Sequence, residues 1–156
     1  YKDQDNRKFI KNNGMNIINE GNAEGTIIGG NLNTFSLLQG TKYMPIAQKI
    51  ILFIEEDNWA NEDYLYEFDR RLQSLTQQAF FKKVKGIIIG RAQQNVNMNI
   101  NRWKTLISMN KKLINMPIVV NADFGHTMPM ATFPIGGKCI ISGKGKSIRI
   151  KIINKD

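Results

Sequence analysis

The sequence predicts an α/β fold: a parallel sheet core to which antiparallel hairpin strands are added. Three observations carry this. Lys49 to Glu55 and Gly86 to Ile89 are continuous apolar runs of strand length, the mark of strands buried on both faces. Segments of helical periodicity follow each of them, giving the order strand, helix, strand, helix, strand. The chain then closes with Lys138 to Ile153, where apolar and polar residues alternate about a glycine-rich turn.

Taken in order, residues 1–14 are polar and read as a linker or tail ending at Gly14; residues 15–156 form the domain. Met15 to Asn19 alternates weakly as a short strand, and Gly25 to Ile28 is a second one running into Gly29–Gly30. Asn31 opens a short helix through Leu32, Phe35, Leu37 and Leu38, with Gly40 as its C-terminal stop. After the buried strand at 49–55, Asn61 is positioned as an N-cap, with Glu62 and Asp63 in the first turn where acids favour the helix dipole. Tyr64, Leu65, Phe68, Leu72, Leu75 and Ala79 then recur at helical spacing. The Asn-rich stretch 93–101 reads as a loop, Asn99 to Lys111 as a helix around Trp103, Leu106 and Ile107, and Ile118 to Asn121 as a strand begun by Pro117. The final hairpin joins Lys138–Ser142 to Ser147–Ile153 through Gly143–Lys144–Gly145.

At 156 residues the chain has the size of one domain. It contains no apolar run long enough to span a membrane, and its N-terminus lacks the apolar core of a signal peptide, so a cytoplasmic setting is expected. The single cysteine, Cys139, sits in strand alternation and reads as a small buried hydrophobe. One histidine and one cysteine make no metal-ligand cluster, and neither glycine-rich nucleotide fingerprint is present; no metal and no cofactor are expected. The net charge of +9 is concentrated late: after Asp123 the only acid is Asp156, against Lys138, Lys144, Lys146, Arg149, Lys151 and Lys155. These cations fall on the polar face of the hairpin with no aromatic residues among them to stack bases, so a solvated sheet face is favoured over a nucleic-acid interface. A basic module that binds or dimerises on an acidic partner or nucleic acid is the alternative reading.

In open α/β sheets, ligands gather beyond the carboxyl ends of the parallel strands. Those ends carry Glu55–Glu56–Asp57, Gly90–Arg91 and Asn121–Ala122–Asp123, the last leading into Gly125–His126. Carboxylates, an arginine and the only histidine are thus expected on one rim. A histidine beside a carboxylate is the usual pair for activating a hydroxyl: the imidazole takes the proton and the acid orients the ring. Arg91 is a candidate for gripping a substrate carboxylate.

Six ordered segments resemble the C-terminal domain of the LD-carboxypeptidase family, which includes the microcin C self-resistance peptidases. They are GTIIGGNL at 25–32, GT at 40–41, ILFIEE at 51–56, GIIIG at 86–90, FGHT at 124–127 and TFPIG at 132–136. The resemblance implies a swivelling β/β/α-type domain carrying two members of a Ser–Glu–His triad. The family's acid falls on Glu55, with adjacent Glu56 as the alternative, and its base falls on His126. Asn31 is implied as a substrate-contacting or loop-fixing residue, with a plain N-cap role equally open. The resemblance further implies an amide substrate, either a murein LD-peptide or an aminoacyl nucleotide, a serine brought by the protein's own N-terminal domain, and a homodimer. No Gly-Tyr-Ser-Asp-like segment occurs here: Ser36, Ser74 and Ser108 fall in or near helices, and Ser142 and Ser147 flank the hairpin turn. The 13 residues before Gly14 are too few to encode the missing domain, so the chain alone is expected to be inactive.

Overall fold

The computed structural model describes residues 9–57 and 62–153. Asn61, the expected helix cap, and the end residues 1–8 and 154–156 lie outside that range. Seven strands form one mixed sheet: β1 (Asn16–Asn19), β2 (Gly21–Asn31), β3 (Ile50–Glu55), β4 (Val84–Gly90), β5 (Ile118–Ala122), β6 (Lys138–Lys144) and β7 (Ser147–Ile153). Their spatial order is β1-β5-β4-β3-β2-β6-β7. The four central strands, β2 to β5, are parallel, while β1, β6 and β7 are antiparallel additions at the two edges.

The parallel core meets the expectation, but the N-terminal flank is not a hairpin. Only Glu20 separates β1 from β2, too short for a two-residue hairpin turn, and β1 pairs instead with β5 across the sheet. β2 is also longer than its apolar stretch at 25–28. Its glycines pair regularly with β3, Gly29 with Phe53 and Gly30 with Ile54. Gly29 has φ +136, and a β-carbon there would lie 1.8 Å from the Phe53 carbonyl oxygen, so this strand passage admits only glycine.

Strand alternation sorts the core into two faces. Ile50, Leu52 and Ile54 of β3, with Ile87 and Ile89 of β4 and Ile118 and Val120 of β5, face the helices α1 (Leu32–Ser36), α2 (Glu62–Gln77) and α3 (Ile100–Ser108). There α2 and α3 meet through Phe68 and Trp103, whose ring centroids lie 5.1 Å apart. Fully burying one such large side chain stabilises the fold by roughly 1.5–3 kcal/mol. Ile27, Ile51, Phe53, Ile88 and Val119 point the other way, into a second cluster with Cys139 and Ile141 of β6. The sheet curls about this cluster, bringing the Ile17 side chain of β1 within contact reach of Gly143 on β6.

Phe53, Phe124 and Phe133 form a triangle at one end of the second cluster, with centroid separations of 4.6 to 5.5 Å. Phe124 and Phe133 bracket the segment that carries His126. The amide of Ala131 donates to the Asp123 carbonyl oxygen at 2.6 Å and closes this segment into a compact loop resting on the aromatic triangle. Among the described residues no helix is long and apolar enough to cross a membrane.

Candidate active site

β3 ends with two carboxylates on opposite faces, and the pleat gives them different surroundings. Glu55 lies on the face of Ile51 and Phe53, beneath the 123–131 loop. Its Oε2 is 2.6 Å from Nδ1 of His126, across a sequence separation of 71 residues. The acid is buried, with 8% of its side chain exposed, whereas the imidazole is 46% exposed. A carboxylate accepts and does not donate, so a neutral imidazole in this contact carries its proton on Nδ1 and presents Nε2 as an acceptor. Among the described residues the ring has no other hydrogen-bond partner.

Glu56 lies on the opposite face and is committed elsewhere. It accepts from Nη1 of Arg71 on α2 at 3.2 Å, from Nδ2 of Asn31 at 3.3 Å and from the Asp57 amide at 3.4 Å. Burial pushes its carboxyl above the ordinary range, and the Arg71 guanidinium opposes that without cancelling it. The buried Tyr64 hydroxyl is pushed well above its usual value, first by burial and then by the nearby charges of Glu56 and Glu55, so it stays protonated.

Asn31 ends β2 and caps α1. Its Oδ1 accepts from the amide and hydroxyl of Thr34, at 3.0 and 3.2 Å, while its Nδ2 holds Glu56. Both ends of its amide are therefore engaged within the chain.

Two glycines let the loop approach Glu55. A β-carbon on Gly90 would fall 2.8 Å from Cβ of Glu55 and 2.6 Å from the Phe124 carbonyl oxygen. One on Gly125 (φ +102) would fall 2.8 Å from the very oxygen that meets His126. The family-like GIIIG and FGHT segments thus include the two positions where a side chain would separate acid from base.

Arg91, the candidate for gripping a substrate carboxylate, is engaged within the protein. Its side chain is 4% exposed and its guanidinium is spent on the protein: Nη1 donates to the Ile10 carbonyl oxygen at 2.8 Å, and Nη2 donates to those of Thr127 and Pro129 at 3.1 and 2.8 Å. Its Nε lies 3.1 Å from Asp123 Oδ1. A guanidinium so occupied does not grip a substrate carboxylate. Asn121, one of the residues expected at the rim, has a role the sequence reading did not foresee: it adopts φ +68 near the end of β5 and donates to Asn12 Oδ1 and the Gly14 carbonyl oxygen. Its one signal was residue type, since Asn tolerates the left-handed region better than most.

The expected rim therefore exists, and it brings Glu55, His126, Arg91 and Asp123 to the carboxyl ends of the parallel strands. No group of three or more His, Cys, Asp or Glu residues suited to a metal ion occurs among the described residues. A cavity of about 780 Å³ opens at the other end of those strands, among Glu24, Lys49, Lys85, Arg149 and Lys151. Neither Glu55 nor His126 lines it, and its open, charged walls give no geometry for proton transfer.

A family model described as the LD-carboxypeptidase C-terminal domain matches residues 24–141. The Bacillus subtilis (strain 168) protein YocD, provisionally named a carboxypeptidase, is 48% identical over 152 residues, which make up 97% of this chain and 46% of that protein. The microcin C7 self-immunity protein MccF of Escherichia coli is 33% identical over 148 residues, 92% of this chain and 41% of its own length. The crystal structure of an MccF-like protein from Bacillus anthracis str. Ames superposes with a TM-score of 0.90 at 48% identity, covering 99% of this chain and 47% of that one. The chain spans less than half the length of the curated relatives it matches.

Proposed function

Because this chain belongs to the LD-carboxypeptidase C-terminal domain family, we propose that it supplies the acid and the base of a serine-type carboxypeptidase. Glu55 and His126 are the two groups. The observation that carries this reading is the 2.6 Å contact between a buried carboxylate and a half-exposed imidazole at the rim where α/β sheets bind ligands.

In the proposed reaction Nε2 of His126 takes the proton of a serine hydroxyl as its oxygen attacks the amide carbonyl. Glu55 keeps the ring in the required tautomer and stabilises the imidazolium that forms. The imidazolium then gives its proton to the leaving amine. Water attacks the resulting acyl-enzyme by the same base, releasing the new carboxylate and restoring the serine. The serine and the oxyanion donors would come from the protein's own N-terminal domain, consistent with relatives about twice this chain's length. The 156-residue chain alone is therefore inactive in this reading.

The substrate class is an amide close to a free carboxylate or its mimic, either a murein LD-peptide or an aminoacyl nucleotide of the microcin C type. The family's description favours the first, and the likeness to MccF favours the second. Asn31 acts here as a loop-fixing residue that holds the start of α1 and Glu56, and through them the rim beside Glu55. The setting is cytoplasmic and the assembly a homodimer.

The test is amide hydrolysis by the longer protein, assayed with a murein tetrapeptide and with an aminoacyl sulfamoyl nucleoside. His126→Ala should abolish turnover of whichever is cleaved. Turnover by the 156-residue chain alone, lost in His126→Ala, would overturn the division of labour between two domains.

A further inference from the structure

Arg91 gathers three backbone carbonyl oxygens and one carboxylate from two separate parts of the chain. Its backbone amide, at the end of β4, donates to the carbonyl oxygens of Ala122 and Phe124 at 3.1 and 3.3 Å. Its buried side chain reaches Thr127, Pro129, Ile10 and Asp123. Thr127 and Pro129 immediately follow His126, so two of these bonds fix the descending half of the loop whose other half Gly125 presses onto Glu55. The bond to Ile10 reaches a different part of the chain. Ile10 returns a hydrogen bond from its own amide to the Met128 carbonyl oxygen at 2.9 Å, and Asn12 donates to Asp123 at 2.8 Å. One guanidinium thereby joins the segment at 10–12 to the loop at 123–129.

We propose that Arg91 is a positioning residue for His126, and that it couples the placement of the 10–12 segment to the orientation of the imidazole. The planar fork suits this task, because it meets several carbonyl oxygens at fixed angles; a lysine ammonium would hold them as a loose point charge. The term positioning residue rests on the acid–base reading of Glu55 and His126, but the coupling itself does not.

The chain has one histidine, so its imidazole nitrogens give an unambiguous NMR signal. In the 156-residue protein the Nδ1 proton should be visible and slow to exchange. In Arg91→Met and Arg91→Lys that exchange should quicken at least tenfold, and the nitrogen shifts should move toward those of free imidazole, while the methyl signals of the helix-side core stay in place. Asp123→Asn, at a side chain nearly half exposed, should move the same signals less and serves if the arginine variants do not fold. Ile10→Pro removes the hydrogen bond that the Ile10 amide donates to the Met128 carbonyl oxygen and should also quicken exchange, which tests the coupling. An unchanged imidazole signature in the folded variants would overturn the proposal. In the longer protein Arg91→Lys should lower kcat with little change in KM. Absence of turnover in the unaltered protein would count against the hydrolase reading and leave the NMR result standing.

Discussion

Gly125 lies against Glu55 so closely that a β-carbon on it would stand 2.8 Å from the carboxylate oxygen holding His126. The residue next to the base thus sets the distance between base and acid. Gly125→Ala should lower turnover of the longer protein by at least tenfold, since both its φ of +102 and its contact with Glu55 resist a side chain. Gly136→Ala is the control. Gly136 also has positive φ (+87), with no atom within 4 Å of an added β-carbon. It should cost about 1 kcal/mol of stability through backbone strain and leave turnover unchanged. Equal loss of turnover in both variants would sink the steric argument.

Glu55→Gln keeps the shape of the side chain and removes the charge that, in the proposed reaction, orients and stabilises the imidazolium. Turnover of the longer protein should fall by roughly a thousandfold or more, with the melting temperature little changed. A variant that retained most of its activity would remove Glu55 from the site.

Glu56→Gln should behave differently. Burial raises the Glu56 carboxyl above its ordinary value, so the fold binds this proton more tightly than the unfolded chain does. The stability it contributes is fully present below the unfolded value of 4.5 and is lost as pH rises through the higher folded value. Glutamine resembles the neutral form, so Glu56→Gln should flatten this part of the pH–stability curve. Chemical denaturation across the acid range measures it; an unchanged slope would contradict the assignment.

Burial pushes the Cys139 thiol up to about 11. The native protein should therefore resist an aromatic disulfide reagent at pH 8 and react at its single cysteine once unfolded. Because the folded value exceeds the unfolded 9.0, the thiol's contribution is intact below pH 9 and is lost as pH approaches about 11. Cys139→Ala should remove that alkaline decline. Rapid labelling of the native protein would show that β6 opens.

These contrasts follow what side-chain pattern can and cannot encode. The apolar runs of β3 and β4 were legible because burial on both faces leaves a continuous signature, and β7 was legible to the residue because one of its faces meets solvent. β2 runs beyond its apolar stretch at 25–28 because Gly29 and Gly30 carry no side chains to signal a strand, and at Gly29 the Phe53 carbonyl oxygen leaves no room for one. The helix expected at 99–111 ends at Ser108, where the chain turns through Asn110 before the apolar pattern stops. At the candidate site, chain position and resemblance single out Glu55 and His126, which the fold brings into contact. Alternation then separated Glu55 from Glu56, a distinction of facing that needs the strand's actual register. The work of Arg91 was invisible because its partners are carbonyl oxygens, which every residue possesses.

The pairing of β1 with β5 has a temporal side. Asn16 meets Val120 about a hundred residues further along the chain, so β1 has no partner until β5, the last of the parallel strands, exists. Contacts this distant in sequence form late and slow the search for the native state. The core from β2 to β4 with α2 can assemble while β1 waits, and docking of β1 then closes that edge of the sheet. Asn12 and Ile10 stand just upstream of β1. The clasp they make around Arg91 and the histidine loop accordingly waits on the same long-range closure, and so would the chemistry proposed for the rim.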